Sequence, residues 1–440
     1  MTFKEVIRYL RSLPPFIPRK TVDGRPLFDL VAVRELAVRL GDPQNKLKCV
    51  HIAGTNGKGS VAEFLSEILV KSGYRVGTFT SPYLTDIREQ TKINGEIISE
   101  DDFSDILSRV IKESEIQIKD GFPAPSEFEM DVVASFLYFL KGGCDVCVIE
   151  TGLGGKYDAS NIIENPLLCI FTEISMDHMT VLGDTLSKIA KVKSGIIKNR
   201  SLCVSGHQEE NVLKVLQSKV RETGSELRIA DGPTDVSADP DGTCFKCVFD
   251  GKAERFKTNV TGIYQAENAS LAVTASQILK SKGFCKISVE SVKSGILSVK
   301  RPGRFEILSR NPMVIADGAH NRSGVEALAD SLKEIFPERY SDGKGFVFVI
   351  GLLEDKEYDE MLKPVLPHVF KAYTVTPGNV RAMSALKLDS ILKKSGVRSE
   401  AAQSVKLAVK KAMDFGAEYD LPVVIFGSLY YMGEVREIFH

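Results

Sequence analysis

The run His51-Ile52-Ala53-Gly54-Thr55-Asn56-Gly57-Lys58-Gly59-Ser60 concentrates residue types that hold phosphate. An apolar strand precedes it, and apolar residues at helical spacing follow (Val61, Phe64, Leu65, Ile68, Leu69). Glycines let a backbone approach an anion closely. Backbone N–H groups at a helix start face that anion, and Lys58 adds a positive charge. Ser60 is placed to meet a nucleotide-bound Mg²⁺. The strict phosphate-loop pattern requires Gly at Ile52 and Ser or Thr at Gly59, so this loop is a variant. The bland alternative is a turn that binds nothing. A lysine between glycines at a helix start has no evident structural use, and that favours phosphate. Gly54, Thr55, Asn56, Gly57, Lys58, Gly59 and Ser60 are the candidate nucleotide contacts.

Three further segments end strands with candidate ligands: Ser81 in Thr80–Leu84, Glu150 in Val148–Gly155, and His178 in Ile174–His178. Parallel sheets bind ligands at the carboxyl ends of their strands, so these groups can converge with Ser60. Hydroxyl, carboxylate and imidazole would complete a Mg²⁺ shell shared with phosphate oxygens and water. Taken singly, a strand-end Glu or a lone His serves as readily as a structural partner. Two cysteine pairs, Cys144/Cys147 and Cys244/Cys247, have zinc-like spacing. The first reads as part of a strand, where residues i and i+3 face opposite ways. Reduced, mostly buried cysteines are therefore expected.

These residues need a scaffold of alternating strands and helices. Lys48–Ala53, Arg75–Thr80, Asp145–Glu150, Leu167–Thr172 and Ser201–Val204 read as short strands with helical patterns between them, an α/β fold with a mainly parallel sheet. Thr243 to Val260 alternates around Asp250-Gly251 and reads as a hairpin excursion from that sheet. A second α/β series begins near Arg301-Pro302-Gly303, with strands Phe305–Leu308, Met313–Ala316, Gly345–Ile350, Val369–Thr374 and Pro422–Phe426. The expected division is 1–298 and 299–440, within the two or three domains that 440 residues allow. Lys+Arg is 57 and Asp+Glu 58, with no basic excess for a nucleic acid or membrane surface. No apolar run reaches the ~18 residues of a bilayer span, and Met1 to Leu13 lacks the apolar core of a signal peptide. The expectation is a cytoplasmic protein.

The loop form GTNGKGS, preceded by His-x-Ala, resembles the Mur ligase superfamily, whose members use ATP to form amide bonds. In particular it is similar to the folate branch, the folylpolyglutamate and dihydrofolate synthases. The later segments resemble that branch's TSPHL, LExGLGGRxDATN and DH…LG motifs, departing from them at Tyr83, Lys156-Tyr157 and Ser160. The resemblance implies that Ser81, Glu150 and His178 are metal ligands. Ile189–Lys198 is similar to IAxEKAGIIK, and Lys193 then matches a lysine carried as a carbamate; the plain alternative is a solvated helix lysine like Lys188 or Lys191. Gly262–Ala269 looks like GxxQxxNAxxA and would set Asn268 near the adenine. Lys300–Glu306 resembles PGRFE, whose match is Arg304, a positive fork for phosphates. Asp317 and His320 match DxAHN, which contacts nucleotide and the transferring phosphate, with Arg322 in place of the usual Pro. Leu352–Lys356 and Gly427–Tyr430 match later motifs expected to be mainly structural.

For the acid, Asp29-Leu30-Val31 resembles DLG, Ser126–Glu129 resembles TxFE, and Asp158-Ala159 lies in the Gly-rich loop region. These line the pteroate site of bifunctional members, with Phe128 offering a face to a pterin ring. The resemblance spans about residues 25 to 435. It implies a phosphate-loop domain with a mainly parallel sheet, then a smaller Rossmann-like α/β domain. It also implies ATP and two Mg²⁺. The substrates would be L-glutamate and dihydropteroate or tetrahydrofolate, joined by a monomer through an acyl phosphate. One rival is another Mur-type amino-acid ligase, such as a cell-wall precursor ligase with a UDP-sugar domain ahead of the loop. The other is a nucleotide switch without ligase activity.

Overall fold

The computed structural model describes residues 1–14, 16, 20–22, 25–341, 343–354 and 356–439. Asp355, in one of the later motifs, lies outside them. The chain divides into two compact units. The first comprises Met1–Gly232, Cys247–Glu254 and Asn268–Ile296; the second comprises Pro233–Lys246, Arg255–Glu267 and Leu297–His440. Thus the segments 233–246 and 255–267 group with the C-terminal residues.

The first unit is built on an eight-stranded sheet. Named by first residue, the strand order is Glu226, Leu202, Leu168, Cys49, Val146, Val76, Thr91, Glu96. The first six run parallel. The last two turn antiparallel at one edge. Cys49–Ala53, Val146–Glu150 and Leu168–Phe171 are buried along their whole length, the apolar run expected of a strand covered on both faces. Ile52 pairs with Glu150, and Ala53 with Phe171. That register brings Gly54, Glu150 and Thr172 to one carboxyl edge. One apolar layer gathers Leu36, Phe79, Ile106, Phe136 and Ile149. Another gathers Ala53, Phe171, Ile189, Ile196 and Leu216.

Two expectations are corrected, and some strands are added. The antiparallel edge strands and Glu226–Ile229 were not legible, being short and largely polar at the rim. The hairpin is no excursion from the main sheet: Gly242–Phe249 and Lys252–Thr258 join Thr234–Asp239 in a separate three-stranded sheet. Its Asp250-Gly251 turn has φ of 49° and 76°, the paired positive values a tight hairpin requires. Finally, Cys144 precedes its strand, which begins at Val146, so the opposite-face argument does not apply to it. All eight cysteines are unpaired thiols.

The second unit carries a six-stranded sheet in the order Glu306, Met313, Val423, Phe346, Val369, Ser399, by first residue. The first strand is antiparallel and the others are parallel. Ile315, Leu328, Leu332, Phe346, Phe348 and Phe426 form its core. Met313–Asp317 ends on Asp317, and Arg322–Ile335 opens on Asn321, whose side chain accepts the Gly324 N–H at 2.9 Å. Arg322 thus takes the first helical position without disturbing the cap. No helix among the described residues is long and apolar enough to cross a membrane.

Candidate active site

The phosphate loop leaves the buried strand Cys49–Ala53 and enters the helix Lys58–Lys71. Thr55 N–H donates to the Glu173 carbonyl at 2.7 Å, and Thr55 Oγ1 donates to the Ser175 carbonyl at 3.0 Å. These bonds pin the turn to the end of the neighbouring strand. Gly57 has φ of 85°, and a Cβ there would strike Oδ1 of Asn268. Asn268 therefore lies directly on the loop. Ser60 is buried in the first helical turn, and Gly59 is buried beside it.

Two lysines meet this turn. Lys58 Nζ donates to the Thr55 carbonyl at 3.1 Å and lies 4.0 Å from Glu150 Oε1. The other Glu150 oxygen accepts the Ser81 N–H at 3.1 Å. Lys193 Nζ donates to the Gly54 carbonyl at 2.6 Å. Lys193 is 4% exposed, which removes the solvated-lysine alternative. Burial holds its ammonium down to about 7, helped by the Lys58 charge and opposed by Asp177 and Asp158. Asp177 accepts the His178 N–H at 2.8 Å, and its other oxygen lies 3.8 Å from His178 Nε2. His178 itself sits at φ of 49° at the start of Met179–Leu182. Sequence reasoning passed over Asp177; the only signal for it was its place beside His178.

The acid-pocket candidates come together through their elements. Phe128 packs against Phe79 and Phe16, with ring centroids 6.0 and 5.6 Å away. A Cβ on Gly152 would collide with the Phe128 ring, so the Gly-rich loop lies directly on it. Ser126 is buried, and its hydroxyl donates to Glu129 at 2.8 Å in a capping box. It sets the helix start next to Phe128 rather than presenting a free hydroxyl. Asp29 accepts the Val31 N–H at 3.0 Å. The helix that Leu30 caps, Val31–Arg39, packs against Glu127–Lys141 and the turn Ala159–Ile162. Asp158 is buried and caps that turn; burial raises its pKa, and the Lys58 charge opposes this. Ala159 is buried behind it.

In the second unit, Asp317 is buried and accepts three hydrogen bonds. One oxygen accepts the Ala319 N–H at 2.7 Å; the other accepts Tyr264 Oη–H at 2.7 Å and the Phe305 N–H at 2.8 Å. Burial raises its pKa, and the Arg304 charge pulls it back. His320 Nδ1 lies 2.8 Å from the Gly318 carbonyl. Arg304 and His320 thus flank Gly318, where a Cβ would strike Leu429 and come 3.0 Å from Arg304 Nη1. Tyr264 went unnoticed in the sequence, because its partner lies 53 residues away.

Residues 52–276 match the Mur ligase middle domain, and residues 303–429 match the Mur ligase, glutamate ligase domain. The chain belongs to the Mur ligase family. Within it, the chain sits in the folylpolyglutamate/dihydrofolate synthase branch and is an ATP-dependent ligase. It is 34% identical to a Bacillus subtilis dihydrofolate synthase/folylpolyglutamate synthase, over 78% of this chain and 81% of that protein. Among solved structures, a Mycobacterium tuberculosis folylpolyglutamate synthase complexed with ADP superposes with a TM-score of 0.89 at 27% identity, covering 99% of this chain and 98% of the other. A structure described as an FPGS–AMPPCP–folate complex gives 0.85 at 26% identity, covering 99% of each.

The donors of this Mur ligase suit Mg²⁺. The Glu150 carboxylate and the buried Ser60 stand at the phosphate loop. Mg²⁺ is ordinarily held this way, by one or two carboxylates completed with phosphate oxygens and water.

Proposed function

We propose that this ligase joins L-glutamate to a pterin-linked carboxylate through an acyl phosphate, acting on tetrahydrofolate and also converting dihydropteroate to dihydrofolate. One observation carries the reading: Lys58 and Lys193 donate to successive carbonyls of one glycine turn, with Glu150 4.0 Å from Lys58. Relatives named for both activities and a neighbour described with folate support the choice of acid.

A carboxylate does not acylate an amine unaided, because oxide would have to leave. Its oxygen attacks the γ-phosphorus of ATP, the bond to ADP breaks, and an acyl phosphate forms. The glutamate amine then attacks the acyl carbon, phosphate leaves, and the nitrogen gives up a proton. No protein nucleophile is required, so positioning and fixed charge supply the catalysis. Lys58 and the N–H groups of residues 57–60, at the start of the helix, hold the γ-phosphoryl charge. Mg²⁺, when bound, supplies further neutralisation; Ser60, Ser81, Glu150, His178 and Lys193 are the residues assigned to two such ions. Lys193 is a buried amine poised to lose its proton near neutrality, able to take up CO₂ and release H⁺ to become an oxygen ligand. Asn268, Arg304, Asp317 and His320 are assigned to the nucleotide and its phosphates. Asp29, Leu30, Val31, Ser126, Phe128, Asp158 and Ala159 are assigned to the acid pocket.

In the same reading, residues 1–298 bind ATP and acid, and 299–440 form the ligase domain. The enzyme acts as a cytoplasmic monomer on small molecules alone, in keeping with its balanced charge. The test is ADP release. A ligase needs the acid and L-glutamate together, whereas release without either, or only with a UDP-sugar acid, overturns the proposal.

A further inference from the structure

We propose that His51 is a positioning residue for the acid pocket, acting through Ser160 on Asp158 and so on the loop 152–158. His51 is fully buried in the strand that feeds the phosphate loop. Its Nε2 lies 2.8 Å from Ser160 Oγ, 109 residues away. Ser160 Oγ lies 2.5 Å from Asp158 Oδ1, which also accepts the Ser160 N–H at 3.0 Å. Asp158 Oδ2 accepts the Leu153 N–H at 2.7 Å.

The direction of this relay follows from its chemistry. Each Asp158 oxygen accepts a backbone N–H, Oδ1 from Ser160 and Oδ2 from Leu153, so both act as acceptors. Ser160 therefore gives its hydroxyl proton to Asp158, and its oxygen accepts from His51. Burial holds the imidazole pKa down to about 3, so the ring is neutral and carries one proton. That proton belongs on Nε2. Nδ1 is left bare, and it is a buried atom without a hydrogen-bond partner.

Asp158 closes a loop with two functional neighbours. Gly152 lies on the Phe128 ring, where a Cβ would collide. Gly155 lies on the Lys193 backbone, where a Cβ would come within 2.5 Å of the carbonyl oxygen. The loop is also tied at Lys156, whose N–H donates to the Val192 carbonyl at 2.8 Å. The relay therefore governs the Leu153–Asp158 closure over Phe128 more than the whole loop.

The inference rests on the reading that Phe128 and Asp158 face the acid, so the experiment includes Phe128→Ala. KM for tetrahydrofolate and for ATP is measured in the full-length enzyme carrying His51→Leu, His51→Gln, Ser160→Ala or His51→Leu/Ser160→Ala. Thermal unfolding checks the folded state. His51→Gln keeps an N–H donor near the Nε2 position. We expect His51→Leu and Ser160→Ala each to raise the acid KM about ten-fold, the loss of one hydrogen bond to a charged network. ATP KM stays within about two-fold, the double variant is no worse than either single one, and His51→Gln stays near wild type. If the acid KM is unmoved by Ser160→Ala while Phe128→Ala raises it, the relay is overturned and the pocket stands. If neither moves it, both fall. Should His51→Leu not fold, Ser160→Ala against His51→Gln decides.

Discussion

Lys193→Met tests the buried lysine directly. The folded chain releases the Lys193 proton at about 7, against 10.5 ordinarily, because burial disfavours the charged amine. That gap is worth about 5 kcal/mol. Below pH 7 both folded and unfolded chains hold the proton, and the penalty stands at full size. Between 7 and 10.5 the unfolded chain keeps a proton that the folded chain has lost, so stability rises with pH. From pH 7 to 9 this residue should add about 2 kcal/mol of stability. Urea unfolding across that range, in chelator and CO₂-depleted buffer, compares wild type with Lys193→Met. Methionine removes the titration and nearly preserves the volume. The difference between the two proteins should therefore shrink steadily as pH rises. Its absolute size also contains the lost bond to the Gly54 carbonyl, but its slope does not. Parallel stability curves would refute the buried, depressed amine.

Glu150→Gln should lower ligation about 10²-fold at limiting Mg²⁺ and recover part of it as Mg²⁺ is raised; full activity at limiting Mg²⁺ removes Glu150 from the ligand set. Gly57→Ala forces a Cβ into Asn268 at a φ of 85°, which costs about 1–2 kcal/mol by conformation alone. It should raise the KM for ATP while leaving that for the acid unchanged. An unchanged ATP KM would show that this turn does not approach the phosphates.

Much of the site was legible because it is local. Gly54 to Ser60 spans a few residues between a buried strand and a helix, and glycine, lysine and helix start are visible in order. The strand cores were legible for the same reason, since their apolar runs need no partner to be seen. Short rim strands such as Glu96–Ile97 and Ser399–Ala401 were not, because what makes them strands is the neighbour they pair with.

Along the chain, Lys193 looks no different from Lys188 or Lys191. Yet Lys188 forms an exposed pair with Asp184, while Lys193 is buried against Gly54. The sheet order brings Lys193 to a carbonyl 139 residues away, and Ser160 to a histidine 109 residues away. Sequence alone thus determined the kind of fold and singled out the candidates for phosphate chemistry. Tertiary structure alone decided which amine is desolvated, which carboxylate opposes it and which serine turns to His51. Desolvation and charge act through space, and the distances that set them come from strand order rather than chain position.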